Sequence, residues 1–357
     1  MERIKPFYLF FVTFMTQGSL VLIVQLPQFV AEHFGYNGWL AIPIISIFVL
    51  MHIGLIYVAY RLGKGVSIFS IIENGMPKIL RIPLYFFLSF FWAGFAIFIL
   101  KNYLFIVKFL HFPDANINWF LLATIFLVFY LVISGIVSIV HMITLLFFLF
   151  APVVLTLLYF IPHLSFLELT NFFFDAHGQW QHGILDIYIA FLGFEVVLFL
   201  FPYIEKGAKG LRYVFYGHLF TTFIYMALTI ISYSFNSFQQ LKTQLYPMIN
   251  LLQYIEMEFI ERIDSLFFLI LFLRVFTTVV MYVWIGMITF QRVLKWNTKS
   301  IAIILLGSGY LMTLPILNKF EIKQYYSFLG SIQIVISLFL PCMMILLILL
   351  KRWRHIA

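Results

Sequence analysis

From Phe7 to Val30 the chain carries no charged side chain, and apolar runs of similar length recur through the rest of it. A helix rises 1.5 Å per residue, so about 20 such residues cross the hydrocarbon core of a bilayer. Lipid cannot satisfy backbone polar groups, which leaves helices and closed barrels as the structures able to span it. The runs place spans near 7–30, 38–60, 82–107, 117–134, 139–161, 184–203, 213–234, 265–290, 300–317 and 327–350. The expected fold is therefore an all-α integral membrane protein of ten transmembrane helices. Ser134, Gly135 and Ser138 mark the weak break between the fourth span and the fifth.

Composition points the same way. Of 357 residues, 64% are hydrophobic and 10% are charged, against about 25% charged in a soluble domain. No polar stretch is long enough for a separate domain, so residues 1–357 are expected to form one membrane domain lying in the bilayer. Arg3 and Lys5 precede the first apolar run, as in a secretory signal. The run is too long for a signal core and lacks a small-residue cleavage site, so the expectation is an uncleaved first span. The single cysteine, Cys342, lies within an apolar run and excludes an internal disulfide or a cysteine metal cluster.

The net charge of +8 sits in short loops, which argues for topology signalling rather than nucleic-acid binding. With the N-terminus inside, the inner segments hold Arg3, Lys5, Arg61, Lys64, Lys78, Arg81, Lys206, Lys209, Arg212, Arg292, Lys295, Lys299, Lys351, Arg352 and Arg354. The outer segments hold Lys108, Lys242, Arg262, Lys319 and Lys323. This bias supports an even number of spans with both ends in the cytoplasm.

Two connections are longer than the others. One, after the second span, contains the stretch from Ser67 to Ile72. The other, after the seventh, contains Met248 to Glu256, which is apolar on one helical face. Each follows the second of five spans, on opposite sides of the membrane. A five-plus-five inverted repeat, residues 7–161 and 184–350, produces that placement. Such repeats bind solutes where the first helix of each half is interrupted near mid-membrane. The first span has Thr16-Gln17-Gly18-Ser19 and the sixth has Phe191-Leu192-Gly193-Phe194-Glu195, each about ten residues in. Glycine lets the backbone unwind there, although a small residue at a helix crossing gives the same pattern.

Two charges lie deep. Glu195 is about 16 Å and Arg274 about 14 Å from the outer end of their spans by helical rise. Such residues face the bundle interior. Either they form a structural pair, the slightly favoured alternative, or Glu195 serves ligand or proton binding. Lys101, nearer the outer face, is expected to snorkel. His52, His141 and His218 lack ligand spacing, so no metal is expected. No phosphate loop, H-E-x-x-H or G-x-S-x-G motif occurs, and nothing points to an enzyme or a cofactor.

The stretch Ala190-Phe191-Leu192-Gly193-Phe194-Glu195-Val196-Val197-Leu198-Phe199-Leu200, followed by Arg212-Tyr213, resembles the B subunit of spore germination receptors. So do Phe259-Ile260-Glu261-Arg262-Ile263-Asp264-Ser265 and Phe276-Thr277-Thr278. That family is a branch of the amino acid/polyamine/organocation transporter superfamily. The resemblance implies a LeuT-like ten-span inverted repeat in the inner membrane of a spore. It also implies a receptor A subunit and a C-subunit lipoprotein as partners, and a small nutrient, often an amino acid, as ligand. The pocket it implies is lined by the two breaks with the third and eighth spans. Matched here, these are Gln17, Gly18, Ser19, Phe91, Phe95, Leu192, Gly193, Phe194, Thr277 and Thr278. Phe91, Trp92, Phe95 and Phe194 suggest an apolar moiety on the ligand. A proton-coupled amino acid permease and a structural scaffold remain open alternatives.

Overall fold

The structure is a computed structural model that describes residues 3–18, 20–165, 180–205, 208–244, 246–252, 263–316 and 319–354. Among the described residues every regular element is helical: α1 (Tyr8–Thr16), α2 (Leu20–Phe34), α3 (Ala41–Leu62), α4 (Ile68–Gly75), α5 (Lys78–His111), α6 (Ile117–Ile133) and α7 (Ile136–Leu155). These are followed by α8 (Trp180–Ala190), α9 (Val197–Leu200), α10 (Arg212–Phe235), α11 (Phe238–Thr243), α12 (Pro247–Leu252), α13 (Ile263–Phe290), α14 (Thr298–Thr313) and α15 (Lys319–Arg354).

Six described helices are long and apolar enough to cross a membrane. A seventh candidate is the bent pair Trp180–Ala190 and Phe194–Tyr203, which kinks by 47°. Ile117–Ile133 and Thr298–Thr313 are apolar but shorter. The protein is thus a multi-pass membrane protein. Its exterior carries the large apolar side chains that lipid permits, such as Phe126, Leu145 and Phe223. The segment Phe267–Phe290 is the most enclosed, with 72% of its apolar window buried against 24% for Ile136–His163. It therefore stands at the centre of the bundle.

Local chemistry sets several boundaries. Gly135, at φ +92°, caps the N-terminus of α7 and makes the turn that separates it from α6. Ser67 caps α4 through its side chain, and Ser237 with Gln240 forms a capping box on α11. Of the long connection after α10, only α11, α12 and their neighbours are described; Gln253 to Arg262 lie outside the described residues.

The broken helices run side by side and are joined at three levels. At one end Ile4 N–H donates to Tyr203 O at 2.8 Å and Glu205 N–H to Ile4 O at 3.1 Å. At mid-depth Gly18 N–H donates to Leu192 O at 2.9 Å. At the far end His33 Nε2 lies 4.0 Å from Asp186 Oδ2, and Gly183 lets α8 approach α2 so closely that a Cβ would sit 2.6 Å from the His33 Cβ.

Candidate functional site: two helix breaks and their caps

A helix that stops leaves its last four carbonyls without intrahelical donors. In lipid each such group costs several kcal/mol. α1 stops because Gln17 turns extended and Gly18 takes φ +77°, a backbone region that disfavours a side chain. Its released carbonyls are met by α13. Arg274 Nη2 donates to Phe14 O at 2.8 Å and to Gln17 O at 2.7 Å. Its guanidinium lies over the Phe14 ring at 4.6 Å and near the Phe150 ring at 5.7 Å. Thr277 Oγ1 donates to Arg274 O of its own helix at 2.7 Å and lies 3.1 Å from Met15 O, and Thr278 Oγ1 lies 3.2 Å from Arg274 O and 3.3 Å from Thr16 O. Positive charge at this end also opposes the negative pole of the α1 dipole.

The sixth-span break is secured by other partners. α8 stops at Ala190, and Gly193 at φ +121° restarts the chain into the turn Phe194–Val196 and then α9. The break releases carbonyls at the end of α8, of which Ala190 O accepts from the Tyr225 hydroxyl at 2.7 Å, and an amide ahead of α9, for which the sequence supplies its own acceptor. Glu195 Oε2 takes the Gly193 N–H at 2.8 Å. Glu195 Oε1 accepts from the Tyr282 hydroxyl and from Gln333 Nε2, both at 2.6 Å. Trp92 Nε1 donates in turn to Gln333 Oε1 at 3.1 Å. Beside this chain His52 bridges the Tyr188 hydroxyl at 2.6 Å and Ser337 O at 2.8 Å, with Phe194 edge-on to its ring at 4.9 Å.

The breaks interlock. A Cβ on Gly193 would fall 2.0 Å from Thr16 O, and one on Gly18 would fall 2.0 Å from the Tyr225 hydroxyl oxygen. Neither position accepts a side chain. Gln17 Nε2 donates to Phe191 O at 3.0 Å and meets His218 Nδ1 at 2.8 Å. With both amide hydrogens so used, His218 Nδ1 is the acceptor, and its Nε2–H faces the Ser46 Oγ at 2.9 Å. Gln17 Oε1 is buried and has no hydrogen-bond partner among the described residues.

The structure thus gathers Gln17, Gly18, Leu192, Gly193, Thr277 and Thr278 at one place. Phe194 packs behind it, and Ser19 lies outside the described residues. Phe95 is buried, edge-on to Tyr282 at 5.5 Å. Phe91 stacks on Phe95 at 5.8 Å, and both line a crevice of about 670 Å³ between α5, α14 and α15, together with Gly94 and Met312.

Two expectations are corrected. Arg274 and Glu195 share the interior but not each other: one serves the carbonyls of α1, the other the start of α9, Tyr282 and Gln333. Lys101 does not snorkel. It is buried, and its Nζ donates to Thr313 O, so it caps α14 where that short helix ends. The sequence reasoning missed Tyr282, Gln333 and Tyr225. Tyr282 was accessible, since Arg274, Thr277, Thr278 and Tyr282 fall at helical spacing on one face of α13.

The chain matches the spore germination protein family over residues 3–322. It is 24% identical over 322 residues to spore germination protein A2 of Bacillus subtilis, covering 88% of this chain and 87% of that one. It is 25% identical over 269 residues to spore germination protein GerQB of Bacillus cereus, covering 73% and 72%. Its fold is that of membrane transporters. The manganese transporter of Eremococcus coleocola, in complex with an aromatic bis-isothiourea compound, aligns with a TM-score of 0.62 at 16% identity, over 96% of this chain and 77% of the other. Mhp1, a nucleobase-cation-symport-1 family transporter with bromovinylhydantoin bound, gives 0.59 at 15%, over 88% and 73%. A chain of this length, matched nearly end to end and folded around paired helix breaks, belongs to the spore germination protein family.

Proposed function

We propose that this protein is the B subunit of a spore germinant receptor and that it senses a small nutrient, such as an amino acid, at the paired helix breaks. The observation that carries the reading is the mid-depth junction of two interrupted helices, each with a glycine at positive φ, in a fold shared with transporters. Membrane carriers bind solutes at such interruptions, near the bilayer midplane. The amide of Gly193 already holds Glu195. A ligand carboxylate is therefore assigned to the start of α2, where a half-helix N-terminus favours negative charge. Gln17 Oε1, buried and without a partner among the described residues, is the acceptor for a ligand donor.

The architecture that goes with this reading is ten spans in two inverted repeats, 7–161 and 184–350, with both ends in the cytoplasm. α1 with α2 forms the first span, and α8 with α9 the sixth. The sequence relatives, both spore germination proteins, support a place in the spore inner membrane beside an A subunit and a C-subunit lipoprotein. The second reading, a proton-coupled amino acid permease, draws on the transporter neighbours.

The test uses spores that carry Phe95→Leu, whose smaller side chain alters the wall beside Tyr282. Germination is followed by loss of absorbance in titrations with a mixture of the common amino acids. A shifted dose response at unchanged protein level is the expected result; an unchanged one removes Phe95 from the site. Net uptake of radiolabelled amino acids by cells expressing the chain alone would favour the permease. For topology, Lys78→Cys and Lys299→Cys in a Cys342→Ser background should resist an impermeant thiol reagent added outside, and Asp114→Cys should react.

A further inference from the structure

Along α5 the residues Phe86, Phe90 and Phe98 fall on one row at i, i+4 spacing, with Gly94 where a further side chain would stand. Phe87, Phe91 and Phe95 form the next row. Opposite them α14 ends early. It has 16 residues, against 34 in α5 and 36 in α15, so by helical rise it covers about 24 Å of a hydrocarbon core about 30 Å thick. The missing side chain and the short helix leave the crevice of about 670 Å³, lined past the end of α14 by Pro315 and Ile316. A Cβ on Gly94 would meet, among the described residues, only the Met312 Sδ within 4 Å, at 3.2 Å.

The crevice opens among side chains that face lipid. Phe87, Met312 and Tyr325 line it and are exposed. Thr313, also on its wall, spends its hydroxyl on Tyr310 O at 2.9 Å, and its carbonyl accepts from Lys101 Nζ. The walls therefore give water few partners, and an apolar space of this kind stays dry. A partner helix does not fit either. A helix about 10 Å across fills about 800 Å³ in every 10 Å of its length, more than the whole crevice. A single alkyl chain is narrow enough, and it is what surrounds the mouth in a bilayer. Phenylalanine rings would flank it along about 18 Å of α5, from Phe86 to Phe98 at the helical rise.

We propose that the crevice between α5, α14 and α15 is a lipid site that holds one acyl chain of a membrane phospholipid. Phe95 gives the site its reach. Its ring lines the crevice and also meets Tyr282 edge-on at 5.5 Å, and Tyr282 donates to Glu195 at the sixth-span break. The acyl chain thus backs the wall of the helix breaks from the lipid side. This role is independent of which solute the breaks bind.

The test uses purified full-length protein in detergent and phosphatidylglycerol that carries a photoactivatable diazirine midway along one acyl chain. The lipid is titrated from below to several-fold above the protein, and adducts are mapped by peptide mass spectrometry. Adducts at Phe90, Phe98 and Met312 should saturate near one lipid per protein, while those on the exposed side chains Phe126 and Phe148 should rise in proportion to the lipid added. Gly94→Leu and Leu329→Trp fill the crevice and should lower its adducts at least fivefold with no change at Phe126 and Phe148. Crevice adducts that are absent, that rise in proportion as at Phe126, or that persist in both filled variants would overturn the proposal; the wild-type titration decides it even if neither variant folds. The same lipid is then incorporated into membranes of cells that express the chain. Crevice adducts found in detergent but missing there would give the crevice to a protein neighbour and overturn the proposal as well. Germination is not read in this experiment, so its outcome stands apart from the nutrient-sensing assay.

Discussion

The first-span break and the sixth-span break are both built on a glycine at positive φ, yet a carboxylate within the sixth-span turn helps to secure it and no such local group secures the end of α1. The end of α1 exposes carbonyls, which accept hydrogen bonds and carry the negative pole of the helix. The cap comes from α13, through Arg274, with the Thr277 and Thr278 hydroxyls alongside. The start of α9 exposes amides, and a carboxylate two residues on closes the turn locally through Gly193 and Glu195. The carbonyls released at both breaks wait for tertiary structure, those of α8 for Tyr225 and Gln17; only the amide ahead of α9 is met by a neighbour in its own sequence. α13 unites them, because one of its faces carries Arg274 for the first break and Tyr282 for the sixth.

The most damaging change to this arrangement is Gly193→Leu. Its Cβ would overlap the Thr16 carbonyl in a backbone region closed to side chains, so the protein should fail to accumulate in the membrane, as read by immunoblot. Arg274→Gln should come next. It removes two charge-assisted hydrogen bonds, each worth about 1.5–3 kcal/mol, and thermal unfolding in detergent should show that loss.

Glu195→Gln should cost less, about 1–3 kcal/mol, because the amide still accepts from Tyr282 and Gln333 while its nitrogen faces the Gly193 N–H. The double change Arg274→Gln with Glu195→Gln separates the two breaks. Independent caps predict losses that add, and recovery of stability in the double variant would restore a direct pair. Thr278→Val removes one hydroxyl from the α1 carbonyls and should cost about 1 kcal/mol. The smallest effect is assigned to Gly135→Ala. Gly135 shares the positive φ, but a Cβ there meets nothing within 4 Å. Only backbone strain of about 1–2 kcal/mol remains, which shows how much of the Gly193 effect is packing.

Much of this site is written in the sequence. Gly18 and Gly193 lie at matching depths in apolar runs, and Glu195 and Arg274 stand out as charges where lipid discourages them. What the sequence withheld was direction. Depth follows from counting along a helix, but the face on which a residue lies relative to another span follows from packing. Arg274 and Glu195 therefore matched in depth yet turned to different partners. Lys101 misled for a related reason. Snorkelling assumes open water at the helix end, whereas α14 ends beside Lys101 and offers it a carbonyl. Gln333 could have been suspected, as an amide in the middle of the last apolar run.

The distance along the chain between the first break and its cap bears on how the protein is made. Gln17 and Arg274 are separated by 257 residues. α1, with nine residues, reaches about 14 Å at the helical rise, well short of the bilayer core. During synthesis it therefore enters the membrane with its final carbonyls unmet and stays so while α2 to α12 emerge. Only when α13 arrives does the N-terminal segment gain its donors. The nascent chain must shelter its first helix until most of the protein exists, and a truncated product ending before α13 leaves that helix as the point at which quality control can recognise it.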